Sequence, residues 1–256
     1  MKKRTYLITA AGGNGTAIRV LDNPMSRTEY AREGKRLGHT MEQYGAEQTG
    51  FLVLPHNHLE MSGGEFCGNA SRAAAVLLSR SKDIHDVSFT TSGYSGVVRA
   101  KVIKINDRNY DVECVFDGLP TDSKEATFAN GGRATIVDLG GIVHVILEAT
   151  FPAGDPSLYQ DVHRRITREL GLENRSAVGV VWFERLGKSI KMHPVVWVKN
   201  VDTFFYEQSC GSGTIALSKV TGAQSIVQPT GQSIEVRITD VSVTLRSKME
   251  ITQEDD

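Results

Sequence analysis

MSGGEFCGNASRAAAVLLSR, the stretch from Met61 to Arg80, decides the fold of this chain. A cysteine stands between two glycine-containing turns and a helical segment in which Ala73 to Leu78 are all apolar. A helix that is apolar on nearly every side must be surrounded by protein. Because a curved sheet is a natural enclosure for such a helix, the stretch predicts a helix at the centre of a β-rich lobe.

A second stretch, SCGSGTIALSKV from Ser209 to Val220, repeats the pattern of cysteine, glycine and a short helix of small and apolar residues. The elements before the two stretches follow the same order: a glycine turn, a strand, an amphipathic helix and β-rich runs. Start signals place the first amphipathic helix at about Ser26 to Leu37 and the second at about Pro156 to Leu170.

This repetition predicts an α+β protein of two pseudo-symmetric lobes, each a β-barrel-like sheet wrapped around one central helix. We place the junction within Phe116 to Gly132, so that the N-terminal lobe covers residues 1–120 and the C-terminal lobe covers residues 121–244. A length of 256 residues suits two units of this size.

Composition excludes several classes of function. Lys and Arg total 29 and Asp and Glu total 30, without a basic stripe, which argues against nucleic acid or an anionic membrane as the main partner. The N-terminal apolar run is shorter than the roughly 7 to 15 residues of a secretion signal, so we expect a cytoplasmic protein. Three cysteines at unrelated spacings predict neither a disulfide framework nor a zinc site, and the histidines show no metal-ligand pattern.

The two cysteine motifs suggest an acid and base pair. Unpaired N–H groups at a helix start carry partial positive charge, which favours a bound carboxylate and is expected to lower the pKa of a cysteine there. If the two helix starts face each other, one thiol lies on each side of a bound α-carbon. One thiolate can then remove a proton while the other thiol delivers one to the opposite face, which inverts the centre.

The motifs EFCGNA, SCGSGT and GGNGTAIRVLD resemble those of the diaminopimelate epimerase and proline racemase superfamily. The resemblance covers essentially the whole chain and implies an isomerase without a cofactor, on two lobes of strands around central helices. It also implies that the C-terminal strand, about 245–256, returns to the first lobe. Homodimers are frequent in this superfamily, so a homodimer is expected.

Within the superfamily, the sequence resembles the histidine racemases that supply D-histidine for nicotianamine-like metallophores. The stretch VDTFFYEQSC lacks the arginine that diaminopimelate epimerases carry before the second cysteine, and GIVH replaces their G-N-P-H. The segments MSGGEFCGNA, YEQSCGSGT, QPTGQSI and AEQTGF, in contrast, match the histidine racemase patterns.

The resemblance implies a role for each site residue. Cys67 and Cys210 would be the acid and base, and Glu47 would meet the substrate imidazole. Asn14 and Glu207 would lie near the substrate amine or side chain. The backbone N–H groups that would bind the substrate carboxylate belong to Gly68, Asn69, Gly211 and Ser212.

Two other functions remain open from the sequence. One is a racemase or epimerase of another amino acid, such as diaminopimelate or a proline derivative, and the other is an amino-acid-binding protein without catalysis. The third cysteine, Cys114, lies in an alternating strand pattern and is expected in the core. The glycines of GGNGTA lack the ending of a phosphate loop and predict a tight turn before a strand.

Overall fold

The computed structural model of the chain describes residues 4–255 as one strand-rich α+β structure. The helices are α1 (Arg27–Met41), α2 (Gly68–Lys82), α3 (Pro156–Glu169) and α4 (Gly211–Thr221), with short 3-10 turns at Glu42–Tyr44 and Leu54–His56. The strands of the first half are β1 (Thr5–Ala10), β2 (Gly13–Leu21), β3 (Ala46–Val53), β4 (His58–Met61), β5 (Asp86–Thr91), β6 (Tyr94–Lys104) and β7 (Asn109–Asp117). Those of the second half are β8 (Asp122–Thr127), β9 (Arg133–Asp138), β10 (Val143–Glu148), β11 (Ala177–Leu186), β12 (Ser189–Val198), β13 (Thr203–Tyr206), β14 (Ser225–Val227), β15 (Ser233–Ile238) and β16 (Ser242–Asp255).

Eight strands form a closed barrel around α2. Strands β1 to β7 pair in sequence order, and β16 closes the ring by pairing with both β7 and β1. Every α2 residue from Gly68 to Ser79 is buried, and the helix contacts strands on all sides of the ring. The run of alanines from Ala73 to Ala75 lets the strands approach the helix closely. The apolar segment therefore forms the central helix of the barrel.

In the C-terminal half the same sheet continues from β16 through β15, β14, β12, β11, β10 and β9 to β8. Helix α4 lies against these strands with Gly211 to Ser218 buried, while α3 packs on the outer side against β12. A single apolar cluster runs from the barrel to α4 and includes both Cys67 and Cys210. The two cysteines therefore lie in one continuous core.

The predicted amphipathic helices are present. Helix α1 begins after Ser26, whose side chain and that of Glu29 form the expected capping box, but it ends at Met41 rather than at Leu37. The extra turn forms because Met41 packs in the same apolar cluster as Leu37, one turn earlier on the same helix face. Helix α3 starts at Pro156 as predicted.

Two further predictions are confirmed. Cys114 lies on β7 with no exposed surface, and Ala11 and Gly12 form the tight turn between β1 and β2, whose first residue is Gly13. Within residues 4–255, no helix combines the length and apolar character needed to cross a bilayer.

Candidate functional site

Both predicted cysteines cap helices. Cys67 is the N-cap of α2, and its Sγ accepts a hydrogen bond from the backbone N–H of Ala70 at 3.3 Å. Cys210 is the N-cap of α4, and its Sγ accepts from the N–H of Gly213 at the same distance. The two caps share nearly identical extended backbone angles, so the repeated motif produces the same local structure twice.

The two capped helices start against each other. A Cβ added at Gly68 would lie 3.4 Å from the Cα of Gly211, and one added at Gly211 would lie 3.1 Å from the backbone nitrogen of Asn69. At position 211 a side chain would therefore force a shift of its neighbours, whereas 3.4 Å at position 68 is an ordinary contact distance. We call the meeting point of these first turns, formed by Gly68, Asn69, Gly211 and Ser212, the helix junction.

Two asparagines connect the halves of the chain at the residue before Cys210. The side-chain amides of Asn14 and Asn69 donate to the carbonyl of Ser209 at 2.7 and 2.9 Å. Gln228 completes the support, because its Oε1 accepts from the backbone N–H of Cys210 at 2.8 Å. These bonds fix the Cys210 cap relative to α2.

Gln48 and Glu207 connect the two thiols. The Cys67 Sγ donates to Gln48 Oε1 at 2.8 Å, and Gln48 Nε2 donates to the carboxylate of Glu207. The Glu207 carboxylate also lies beside the Cys210 thiol and is buried. A chain of polar contacts therefore joins one thiol to the other.

A cavity of about 240 Å³ opens next to this chain of contacts. Glu47, Glu65 and Glu207, which we call the cavity glutamates, line it together with Gln48, and the exposed Glu42 also belongs to the lining. Its other walls are the α1 face that carries Gly34, Lys35, Gly38 and His39, and the apolar side chains of Val196, Val198, Val201 and Phe205. Neither thiol is among the described lining residues, because Gln48 and Glu207 lie between the cavity and the sulfur atoms.

The three cavity glutamates hold their protons more tightly than exposed glutamates. Burial raises the pKa of Glu65 and of Glu207 to about 7. For Glu47, burial and the neighbouring Glu207 charge raise the pKa to about 8. The Oε2 atoms of Glu47 and Glu65 have no hydrogen-bond partner within residues 4–255. The cavity therefore offers acceptors that suit a ligand carrying N–H groups.

The expected lowering of the thiol pKa values is wrong. Burial, followed by the Glu207 charge, raises the pKa of both Cys67 and Cys210 above that of a free cysteine. The N–H groups of Ala70 and Gly213 act in the opposite direction, but their effect is smaller than the loss of solvation. Burial therefore favours the protonated form of both thiols at neutral pH.

A buried histidine lies behind the second thiol. His144 Nε2 is 2.9 Å from the hydroxyl of Ser212, which is 3.7 Å from the Cys210 Sγ. Burial lowers the pKa of His144 to about 3, so its ring is neutral. A Cβ at Gly179 would lie 2.1 Å from His144 Nδ1, so this ring position requires glycine on the neighbouring strand.

A family comparison matches residues 14–254 to the model of the histidine racemase CntK N-terminal domain. Two histidine racemases from strains of Fusobacterium nucleatum subsp. nucleatum are 33% and 34% identical to the chain, and each alignment covers 73% of it. The alignments cover 72% and 71% of those relatives. The chain belongs to the histidine racemase family. A histidine racemase from Staphylococcus aureus is 26% identical over 67% of the chain and 63% of its own length.

Solved structures place this histidine racemase family member in the epimerase fold. A "predicted epimerase" from Pseudomonas aeruginosa has a TM-score of 0.65 at 15% identity and covers 100% of the chain and 99% of its own. A hydroxyproline epimerase from Agrobacterium vitis, solved with trans-4-hydroxy-L-proline, has a TM-score of 0.62 at 11% identity, with 99% and 91% covered. These identities show the shared fold alone. With the sequence relatives, the family makes the chain an isomerase of the racemase and epimerase class.

The structure brings most of the predicted site residues of this racemase together. Gly68, Asn69, Gly211 and Ser212 form the helix junction, and Asn14 reaches it through the Ser209 carbonyl. Glu47 lies on the cavity wall rather than at the junction, and Glu207 borders both. The role of each residue toward a substrate stays a prediction.

Sequence reasoning missed several polar residues at the site. Gln48 lies in AEQTGF directly after Glu47, and Glu65 lies in MSGGEFCGNA two positions before Cys67. Their positions in these two motifs could have identified them as site residues. His144 ends the GIVH stretch and belongs to the histidines that show no metal-ligand pattern, so the sequence indicated no role for it. Gln228 is the first residue of QPTGQSI, but the sequence assigned it no role. Arg72 lies in the opening stretch, and nothing in the sequence pattern indicated its function. In residues 4–255, no three side chains of His, Cys, Asp or Glu are grouped to hold a metal ion.

The stability of the ligand-free racemase is expected to fall as pH rises from about 6.5 to 8.5. The three cavity glutamates have folded-state pKa values above their unfolded value of 4.5, so their contribution is complete below that value and is lost as pH rises through 7 to 8. Each proton released reduces the free energy of unfolding by up to about 1.4 kcal/mol per pH unit. Thermal denaturation across this pH range measures the effect.

The buried histidines have the opposite effect at lower pH. Burial lowers the pKa values of His144 and His163 to about 3 and about 4, so their contribution is present above 6.5 and lost as pH falls. Above pH 6.5 the contribution of the histidines to stability no longer changes with pH, so the decline from the glutamates is not offset. Replacing Glu65 with glutamine should flatten the decline, and a melting temperature that rises between pH 6.5 and 8.5 would contradict the assignment.

Proposed function

We propose that this chain interconverts L- and D-histidine without a cofactor, with Cys67 and Cys210 as an acid and base pair on opposite faces of the substrate α-carbon. The observation that carries the proposal is the helix junction, where two helices, each capped by a cysteine, start against each other. Inversion of an α-carbon requires two proton carriers on opposite faces, and this arrangement offers one from each half of the chain.

The helix junction is the proposed site for the substrate carboxylate. The first-turn N–H groups of α2 and α4 lack partners within their helices, and both sets carry partial positive charge. A carboxylate bound by Gly68, Asn69, Gly211 and Ser212 gains negative charge when the α-proton leaves. The same N–H groups then stabilise the enolate-like transition state more strongly than the ground state.

The proposed reaction passes one proton in and one proton out. The thiolate of one cysteine takes the α-proton and becomes a thiol, while the other thiol gives its proton to the opposite face and becomes a thiolate. Before the first turnover one thiol has to lose its proton to water, and its raised pKa opposes that loss. A substrate ammonium beside Glu207 would favour it, because that cation offsets the charge that disfavours both thiolates.

The cavity is the proposed site for the imidazole. The cavity glutamates Glu47, Glu65 and Glu207 provide acceptors for ring N–H groups, and carboxylate acceptors can fix which ring nitrogen carries the proton. For the α-carbon to reach the thiols, the contact between Gln48 and Glu207 has to open and release both side chains to the substrate. The wall of Val196, Val198 and Phe205 would enclose the ring edges.

We also propose three further features of this chain that the family resemblance implies. They are the pseudo-symmetry of lobes 1–120 and 121–244, the assembly into a homodimer and a role in cytoplasmic metallophore biosynthesis. The return of β16 to pair with β1 and β7 supports counting the last strand with the first lobe. The proposed racemase chemistry does not depend on any of these three features.

The substrate is tested by a panel of L-amino acids with the purified protein, without added pyridoxal phosphate or metal. Chiral chromatography should show D-histidine forming faster than any product from diaminopimelate, proline or hydroxyproline. A preference for one of those substrates would overturn the histidine assignment. Thermal stabilisation by histidine without any α-proton exchange would instead identify a binding protein and overturn the catalytic proposal.

A further inference from the structure

Arg72 is enclosed in the core at the helix junction. It lies in the second turn of α2 with 0% of its surface exposed, and its Nη2 donates to the side-chain oxygen of Asn69. A Cβ added at Gly211 would lie 3.2 Å from the same Nη2. The guanidinium therefore extends from the helix that carries Cys67 to the helix that carries Cys210.

The guanidinium has no carboxylate partner in the described residues 4–255, and its Nε and Nη1 have no hydrogen-bond acceptor there. The ionisable groups that face it are three thiols: Cys67 on its own helix, Cys114 on β7 and Cys210 on α4. Burial lowers the pKa of Arg72 to about 10, so it stays charged at neutral pH. A buried charge without a counter-ion destabilises a fold.

We propose that Arg72 is a positioning residue whose guanidinium holds Asn69 across the helix junction and supplies the positive charge that balances the deprotonated thiol during the reaction. This inference rests on the proposed function, because only a reaction through a thiolate uses such a charge. A cation that opposes folding and faces both proposed acid and base groups is explained by that use.

The positioning part follows from a chain of contacts. Arg72 Nη2 orients the Asn69 side chain, and Asn69 Nδ2 donates at 2.9 Å to the carbonyl of Ser209, directly before Cys210. The cap of one helix is thus held by a side chain from the other. Loss of the guanidinium would free Asn69 to rotate, and the distance between the two thiols would no longer be fixed.

The electrostatic part follows from the charges around the thiols. Burial and the carboxylate of Glu207 disfavour both thiolates, Glu65 adds to this at Cys67, and His144 is neutral behind Ser212. Arg72 is the cation that faces the thiols from within the described core. An opposite charge within about 4–6 Å of an ionisable group shifts its pKa by about 1–3 units toward the charged form.

The test compares the neutral variants R72M and R72Q with R72K. Lysine keeps the positive charge but lacks the planar guanidinium with its several N–H donors. Ultraviolet difference titration of the thiolates, the pH profile of α-proton exchange and thermal denaturation are measured for each. R80M is the matched control, because Arg80 lies in the last turn of the same helix and pairs with Glu254 at the surface.

For R72M and R72Q we expect thiolate formation and the acidic limb of the exchange profile to move up by about 1–3 pH units. R72M should melt at the same temperature as the wild type or above it, because a buried unpaired charge is gone. R72K should keep its acidic limb near the wild-type position with a lower maximum rate. R80M should change neither the titration nor the limb.

Neutral variants that keep the wild-type titration and lose only stability would overturn the proposal and leave Arg72 a structural residue. If R72M does not fold, the comparison of R72Q with R72K decides the question by the same criterion. The titration needs no turnover, so it tests Arg72 even if histidine is not the substrate. If the Arg72 variants titrate like the wild type while the Cys67 or Cys210 variants are inactive, the role of Arg72 is refuted and the proposed function is retained.

Discussion

Replacement of Cys67 or Cys210 with serine is expected to reduce histidine racemisation by about 10²- to 10⁴-fold, the range in which a positioned acid or base acts. A serine hydroxyl keeps the N-cap hydrogen bond to Ala70 or Gly213, so the helices and the fold should be retained. It is a far weaker acid than a thiol and cannot serve as the proton carrier at neutral pH. Chiral chromatography of purified variants measures the loss, and circular dichroism verifies the fold.

The two serine variants should differ in which enantiomer still exchanges. If each thiol serves one face, a variant that keeps one cysteine can remove and return the α-proton of one enantiomer only. C67S and C210S should therefore show residual deuterium exchange with opposite enantiomers. C114S is the matched control, because Cys114 is buried on β7 and has no proposed contact with substrate. It should lose stability but keep racemase activity. Full activity in both C67S and C210S would contradict the mechanism.

Replacement of Glu207 with glutamine is expected to lower kcat/KM for histidine by about 10- to 10²-fold. The buried carboxylate accepts from Gln48 and lies beside Cys210, where it would bind the substrate ammonium. Loss of one charge-assisted hydrogen bond costs about 1.5–3 kcal/mol, and each 1.4 kcal/mol is tenfold. Steady-state kinetics at several pH values measures the change.

The same variant should shift the pH profile in the direction opposite to that of R72M. Because the Glu207 charge raises the pKa of both thiols, its removal should move the acidic limb to lower pH. E235Q provides a matched control at an exposed site on β15. Wild-type kcat/KM in E207Q, or an acidic limb that moves to higher pH, would contradict the role of Glu207.

The repeated local pattern made the helix starts predictable from sequence. A cysteine, a glycine and a small-residue helix form a cap whose geometry depends on neighbouring residues, and both copies adopt it. The capping box of Ser26 and Glu29 is local in the same sense. Where the outcome depended on a distant partner, prediction failed: α1 extends to Met41 because that side chain joins the core.

The thiol pKa values show why the site was less predictable than the helices. The favourable effect of a helix start is local and visible in the motif, whereas burial and the Glu207 charge arise only when the sheet closes. Gln48 lies on β3 and Glu207 follows β13, so no spacing in the sequence indicates their contact. Arg72 appears as a basic residue in an apolar helix until its position at the helix junction is known.

The measurement that tests the central claim most directly is the isotope content of both enantiomers early in the conversion of L-histidine in D2O. Two opposed thiols should yield D-histidine that carries deuterium at the α-carbon, because its new proton comes from the second thiol. The remaining L-histidine should still carry mostly protium, because the first thiol returns the proton that it removed. D-histidine that retains the original α-proton, or L-histidine that exchanges much faster than D-histidine forms, would contradict two-base racemisation by Cys67 and Cys210.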